Sequence, residues 1–217
     1  RSRALAVEIE FAKQRAVAAI VADDAQVRDA LAAPTPAATA AMSRKLDRLQ
    51  DETQSSVIYV LDLTGTAVAA SNWDEPDSFV GSSYAFRDYF AVALREGTAQ
   101  QFALGTVSHR PGLYLSHVVG EGFGVVVVKV EFTAIEASWA ASADRTFVTE
   151  PDGPVVLASL PETRFTPAPS PSADQLATTV ALPSAGWALT LFTASAPALE
   201  SAVLATGTAA LGLGLLA

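Results

Sequence analysis

Apolar positions near the start of the chain recur at helical spacing: Leu5, Ile9, Ala12, Ala16 and Ile20. Ala, Leu, Val, Glu and Arg dominate residues 3–32, and no Gly or Pro interrupts before Pro34. The stretch predicts one helix about 45 Å long at the α-helical rise. The segment PTPAATAAMS breaks it. A second helix follows from about Ala37 to Thr53, with Met42, Leu46 and Leu49 on one face.

From Ser56 the period changes to that of strands. SVIYVLDLTGTAVAAS reads as strand, turn, strand, with Asp62-Leu63-Thr64-Gly65 as the turn. Trp73 to Ser78 is a polar loop, and Phe86 to Leu94 a short helix ending at Gly97. Gln101–Leu104, Leu113–Val119 and Val125–Phe132 complete an antiparallel sheet, and Thr133–Ala141 forms a helix leading away. Further strands fall near Thr146, Val155, Thr178 and Trp187, around the proline-rich surface loop PETRFTPAPSPSAD.

A repeat runs through this pattern. YVLDLTGTAVAASN (59–72) and FVTEPDGPVVLASL (147–160) align without a gap. Asp62 matches Glu150, Gly65 matches Gly153, and Ala70-Ser71 matches Ala158-Ser159. Each segment is a hairpin opening a sheet, so the chain holds two related units. The division expected is a helical stalk over 1–54, a larger unit over 55–141 and a smaller one over 142–196. After Glu200 the chain reads SAVLATGTAALGLGLLA without a charge, a little short of the roughly 20 apolar residues that span a bilayer. Glycines 207, 212 and 214 among small residues favour the start of a transmembrane helix at 197–217 over a core helix. With no secretory signal at Arg1, the chain is expected to be a piece cut between two spans.

Composition narrows the chemistry. Half of the 217 residues are apolar, and the net charge is -9 with a pI near 4.6. That balance excludes nucleic acid and anionic membrane surfaces as partners. With no cysteine and only His109 and His117, disulfides, thiolate metal sites and His-based zinc sites are not expected. There is no nucleophile elbow, phosphate loop or dinucleotide fingerprint. GEGFG (120–124) precedes a strand rather than a helix and is a hairpin turn. No catalytic residues, cofactor or metal are expected.

Two cations stand among hydrophobes in this acidic chain. Alternation in VVVVKVEF puts Val125, Val127, Lys129 and Glu131 on one face of a strand. Either Lys129 lies on a solvated face, paired with Glu131 or a cross-strand acid, or its ammonium points into a pocket and takes a ligand carboxylate. Arg87 shares a helical face with Phe90 and Leu94. Its guanidinium either forms a structural ion pair with Asp74, Asp77 or Asp88 or forks onto a carboxylate. Tyr84, Phe86, Tyr89 and Phe90 read as core from which a hydroxyl could reach a site. Thr106, Ser108, His109, Tyr114 and Ser116 surround the turn GTVSHRPG, where hydroxyls either cap backbone or donate to a ligand.

The runs ASNWDEPDSFVGSSYAFRDYF, FALGTVSHRPGLYLSHVV and GVVVVKVEFTAIEASW resemble the extracytoplasmic sensor domain of dicarboxylate sensor histidine kinases of the DctB type, over about Tyr59 to Trp139. The resemblance implies an α+β fold, a long N-terminal helix followed by two PDC/Cache-like α/β units, each with a central antiparallel sheet. It implies that the first unit is membrane-distal and holds the ligand. Arg87 and Lys129 would take the two carboxylates of succinate, fumarate or malate. Tyr84, Phe90, Thr106, Ser108, Tyr114 and Ser116 would complete the pocket. It also implies a homodimer through the N-terminal helix, flanking transmembrane helices in a bacterial inner membrane, a periplasmic location and a kinase beyond the second span. Two alternatives keep other classes open: a chemoreceptor or cyclase sensor for an amino acid or monocarboxylate, and a membrane-anchored enzyme or assembly protein. An amino-acid site needs an acid to meet the ammonium.

Overall fold

A computed structural model describes residues 1–151 and 153–195. Three helices come first: α1 (Ser2–Ala22), α2 (Ala25–Ala32) and α3 (Pro36–Thr53). The single helix expected over 3–32 is two. Asp24 stops it, because its carboxylate accepts from the amides of Gln26 (2.9 Å) and Val27 (3.3 Å) and so caps α2. Lys45 of α3 holds the same carboxylate at 2.5 Å. Thr35 caps α3, with Pro36 in its first turn.

Residues Ile9–Phe132 form one compact unit. Its sheet contains β1 (Val57–Leu61), β2 (Ala67–Ala70), β3 (Thr98–Leu104), β4 (Pro111–Val119) and β5 (Gly124–Val130), with α4 (Asp88–Glu96) between β2 and β3. The strand order is β2-β1-β5-β4-β3, antiparallel throughout. β5 lies in the middle, and all seven of its residues are buried. Register fixes the faces. Lys129 lies opposite Val57 and Tyr114, and Val127 opposite Tyr59 and Ser116. That face carries the main core, where Tyr59, Tyr114, Val125 and Val127 meet Phe79, Tyr84, Tyr89, Phe90 and Ala93. α3 packs across β1 and β2, leaving Met42 and Leu46 without exposure.

Arg1–Glu8 and the described residues from Thr133 onward form the other unit. It contains α5 (Thr133–Ala140), β6 (Arg145–Thr149), β7 (Val155–Ala158), β8 (Gln175–Leu182) and β9 (Trp187–Ala194). The strand order is β7-β6-β9-β8. The boundary expected after 141 therefore moves to 132. The cause is Glu136 of α5, whose Oε1 accepts from the Ala158 amide of β7 at 2.9 Å. The helices of 1–54 are likewise no separate stalk, since α3 packs on β1 and β2. The membrane segment expected at 197–217 lies outside the described residues. Among the described residues no helix is long and apolar enough to cross a membrane.

The repeat read from the sequence is a repeat of geometry. In β1–β2, Tyr59 faces Ala70, Val60 faces Ala69, and the register then slips so that Leu61 faces Ala67. In β6–β7, Phe147 faces Ala158, Val148 faces Leu157, and the same slip puts Thr149 opposite Val155. Each hairpin is closed by the same serine. Ser71 Oγ accepts from the Ile58 amide and Ser159 Oγ from the Thr146 amide, both at 3.1 Å. The aligned Ser-Asn and Ser-Leu ends thus mark a bulged hairpin clamped by a side chain.

Both serines are buried, so removing either hydroxyl takes that acceptor away from a buried amide. Ser71→Ala and Ser159→Ala are each expected to cost about 1–2 kcal/mol, read as a lowered urea midpoint with the far-UV circular dichroism unchanged.

Candidate functional site

Lys129 is the central feature of the first unit's sheet. Its side chain is 0% exposed, yet it sits on the face that carries the aromatic core. An ammonium stripped of water needs other partners. It has two: its Nζ donates to Ser108 Oγ at 2.7 Å and to Glu131 Oε1 at 2.5 Å. Of the two readings open from the sequence, the pairing with Glu131 is therefore realised, but in a buried setting rather than on a solvated edge. Glu131 is itself fixed, because its amide donates to Ser56 Oγ at 2.8 Å and its second carboxylate oxygen lies 3.6 Å from Arg110 Nη1.

Two glycines make room for this arrangement. A Cβ on Gly112 would stand 2.9 Å from Lys129 Cε and 3.0 Å from the Val130 carbonyl. A Cβ on Gly105 would stand 2.4 Å from Ser108 Oγ and 3.0 Å from the Tyr114 hydroxyl. Only residues without side chains let the β3–β4 turn fold down onto the ammonium. That turn is closed by Gly105 N donating to Arg110 O at 2.9 Å. His109 in it takes a positive φ of 52°. The ammonium opens on a polar cavity of about 410 Å³. Ser55, Ser56, Asn72, Asp77, Arg110 and Glu131 are among its lining residues.

Arg87 does not line that cavity. It precedes α4 as its N-cap, in extended conformation, rather than lying within the helix as expected. Its Nη2 donates to the Leu104 carbonyl at 2.7 Å. Its guanidinium carbon lies 5.0 Å from the Phe86 ring centre and 5.7 Å from that of Tyr114. Its Nε is buried with no hydrogen-bond partner among the described residues, and no ion pair involves it there. Tyr114 lies between the two cations. The ring stands beside Arg87, its hydroxyl beside the site of a Gly105 Cβ that Ser108 also crowds, and its backbone lies opposite Lys129.

The remaining residues singled out from the sequence divide. Ser108 reaches Lys129. Tyr84 and Phe90 are buried in the aromatic cluster. Ser116 Oγ is committed to backbone, donating to the Tyr89 carbonyl at 2.8 Å with the Ala99 carbonyl at 3.2 Å. Thr106 is exposed on the turn. Sequence reading did not single out Gln101, which lies opposite Tyr114 and keeps a buried Oε1 without a partner among the described residues while its amide donates to Asp88. No pattern in the sequence marks it. Among the described residues no cluster of His, Asp or Glu could hold a metal ion.

All four tyrosines of the chain belong to this cluster. Tyr59 and Tyr89 share a hydroxyl–hydroxyl bond of 2.7 Å, and the Tyr89 and Tyr114 rings stack 5.1 Å apart. Burial raises every one of the four phenols. Tyr84 and Tyr114 reach about 12, with Arg87 pulling each back toward its ordinary value.

The first unit thus places a buried ammonium and an aromatic cluster on one face of a five-stranded antiparallel sheet whose opening hairpin recurs in the second unit. No family model matches the chain. It is 48% identical over 168 residues to the C4-dicarboxylate transport sensor protein DctB of Rhizobium meliloti (strain 1021), which covers 76% of this chain and 27% of that protein. The Pseudomonas aeruginosa protein of the same name is 40% identical over 120 residues, 54% of this chain and 20% of its own length. The chain therefore spans well under half of these relatives. The V. cholerae histidine kinase DctB sensor domain superposes with a TM-score of 0.74 at 23% identity, covering 84% of this chain and 89% of that one. The ligand-binding domain of the Pseudomonas fluorescens chemoreceptor CtaA, solved with L-isoleucine, shares the fold at TM-score 0.67 and 14% identity, covering 92% and 91%. The chain belongs to the DctB-type Cache sensor domains.

The phenols provide a direct check on the cluster. A phenol whose folded pKa is raised contributes stability that is complete below its unfolded value of about 10 and is lost as pH rises through the folded value. Tyrosinate absorbance is accordingly expected to stay flat through pH 10. It should then appear together with loss of tertiary structure near pH 12, the value for Tyr84 and Tyr114. A hyperbolic titration near pH 10 in folded protein would show that the ring cluster is wet.

Proposed function

We propose that this chain is the ligand-sensing domain of a two-component sensor histidine kinase, and that its first unit is the membrane-distal one and binds a small dicarboxylate of the succinate, fumarate or malate class. The observation that carries this is the pair of cations flanking Tyr114: Arg87, with no carboxylate partner among the described residues, and Lys129, buried at the head of a polar cavity. The relatives, each a C4-dicarboxylate transport sensor protein by name, support the same ligand class. One ligand carboxylate accepts from the Arg87 guanidinium, and the other from Lys129 together with Ser108. A monoacid leaves one cation without its anion. Phosphotransfer belongs to the rest of the protein, in a bacterial inner membrane with this domain on the periplasmic side. No cofactor is required for the sensing step.

Signalling then is a population shift. A ligand that bridges Arg87 and Lys129 favours the closed form of the β3–β4 turn and of the Phe79–Arg87 loop that carries Tyr84. The second reading, an α-amino acid, gains from the structure what the sequence left unsupplied. Glu131 beside Lys129 gives an ammonium an acid to meet. The dicarboxylate remains the better fit because Glu131 is already bound by two cations.

The surface of α1 supports a homodimer through that helix. Leu5, Ile9 and Ile20 are 60%, 59% and 69% exposed, and Ala12 and Ala16 between them are exposed as well. This is an apolar stripe along one side of a helix, and a second copy of the same helix covers it.

Calorimetric titration against a panel of organic and amino acids tests the ligand. Succinate or malate is expected to bind, and Arg87→Ala or Lys129→Ala to weaken binding by about 30-fold or more, as loss of one partner in a desolvated charge pair does. Binding of amino acids alone would replace the first reading with the second. For the dimer, Ile9→Asp with Ile20→Asp is expected to convert the sedimentation profile to monomer without changing the circular dichroism.

A further inference from the structure

The two cations of the site are not equivalent. Arg87 has no acidic partner among the described residues. Lys129 already holds a carboxylate, that of Glu131, at 2.5 Å. Glu131 stands two residues along the same strand direction, on the same face, with its backbone pinned by Ser56. Its side chain is 17% exposed and lines the polar cavity into which a ligand enters. It therefore stands against the ammonium as a negative charge in the cavity through which an incoming carboxylate would approach Lys129.

We propose that Glu131 is a specificity-determining residue: an internal competitor at Lys129 that a ligand displaces only when a second carboxylate anchors it at Arg87. The inference rests on the dicarboxylate reading and deepens it. A carboxylate held two residues from the ammonium competes at an effective concentration on the order of millimolar or above. A monoacid must compete from free solution, and at micromolar levels it loses. A diacid gripped by Arg87 presents its other carboxylate as a tethered group too, so the contest at Lys129 becomes even. Displaced Glu131 is not left uncompensated, because its second oxygen lies 3.6 Å from Arg110. That arginine is on the β3–β4 turn beside Ser108, which also binds the ammonium. The exchange thus moves one carboxylate from Lys129 onto Arg110, and each charge keeps a partner throughout. Mutual pairing of Glu131 with Lys129 lowers the apparent affinity for every ligand by the fraction of Lys129 that is free.

The test is calorimetric titration of succinate and of butyrate into the wild-type chain, Glu131→Gln and Arg87→Ala. Glu131→Gln keeps the shape and an acceptor for Lys129 but removes the charge. Butyrate is expected to bind Glu131→Gln about tenfold or more tightly than wild type, with a smaller gain for succinate, so that the preference for the diacid narrows. Equal factors for both acids, or no gain for butyrate, overturn the proposal. If the wild type fails to bind succinate while Glu131→Gln still gains butyrate, the dicarboxylate reading falls and the competing role of Glu131 stands. A second measurement needs no variant. The chain has three lysines, Lys13, Lys45 and Lys129, so the Lys129 ammonium signal can be assigned in a nitrogen-15 spectrum. Saturating succinate is expected to move it and the same concentration of butyrate to leave it in place. An equal shift with butyrate overturns the proposal even if Glu131→Gln does not fold.

Discussion

An ammonium with no access to water, at the centre of a five-stranded sheet, is the constraint around which the first unit is built. Leaving it unpaired would cost several kcal/mol. The surrounding chain meets that demand twice, with Ser108 from the β3–β4 turn and Glu131 from the end of β5, and Arg110 flanks Glu131 in turn. Gly112 gives its stem a channel and Gly105 lets the turn descend. The turn, the cavity and the end of β5 are in this sense one device for keeping a charge inside a protein.

The aromatic cluster has a matching role. Four phenols and the Phe79 and Phe90 rings pack between the sheet and α4, and they carry polarity at their tips while excluding water from their bodies. Tyr114 lies near the Arg87 guanidinium at its ring and close to the β3–β4 turn at its hydroxyl. Low local polarity strengthens every charge interaction at such a site. That is the setting in which a small anion is worth more than it would be on an acidic, hydrated surface.

The second unit repeats the hairpin without the charge. Bulge, serine clamp and turn glycine recur at the same offsets, but the aligned core is Phe147, Val155, Ala158 and Phe192. Among the described residues its one buried acid, Glu136, is raised by burial and bonds to the Ala158 amide and Arg164, so it ties α5 and the following loop to the sheet. Duplication preserved the scaffold, and only one copy carries an internal ammonium.

The sequence by itself determined the strands, their faces and the duplication, because these depend on period-two alternation and on turn residues at fixed offsets. It also put Lys129 on one face of β5 with Glu131 among its possible partners, while leaving open whether that face was solvated or buried. What it could not decide was the outcome of that choice. Pairing depends on side chains brought together from the β3–β4 turn, and on the two glycines whose missing atoms create the space. Similarly, the partner that Asp24 meets, Lys45, arrives from α3, and Gln101 facing Tyr114 depended on strand register. Local pattern fixes which way a side chain points. Only the assembled sheet fixes what it finds there, since burial and charge pairing are properties of neighbours far apart in the chain.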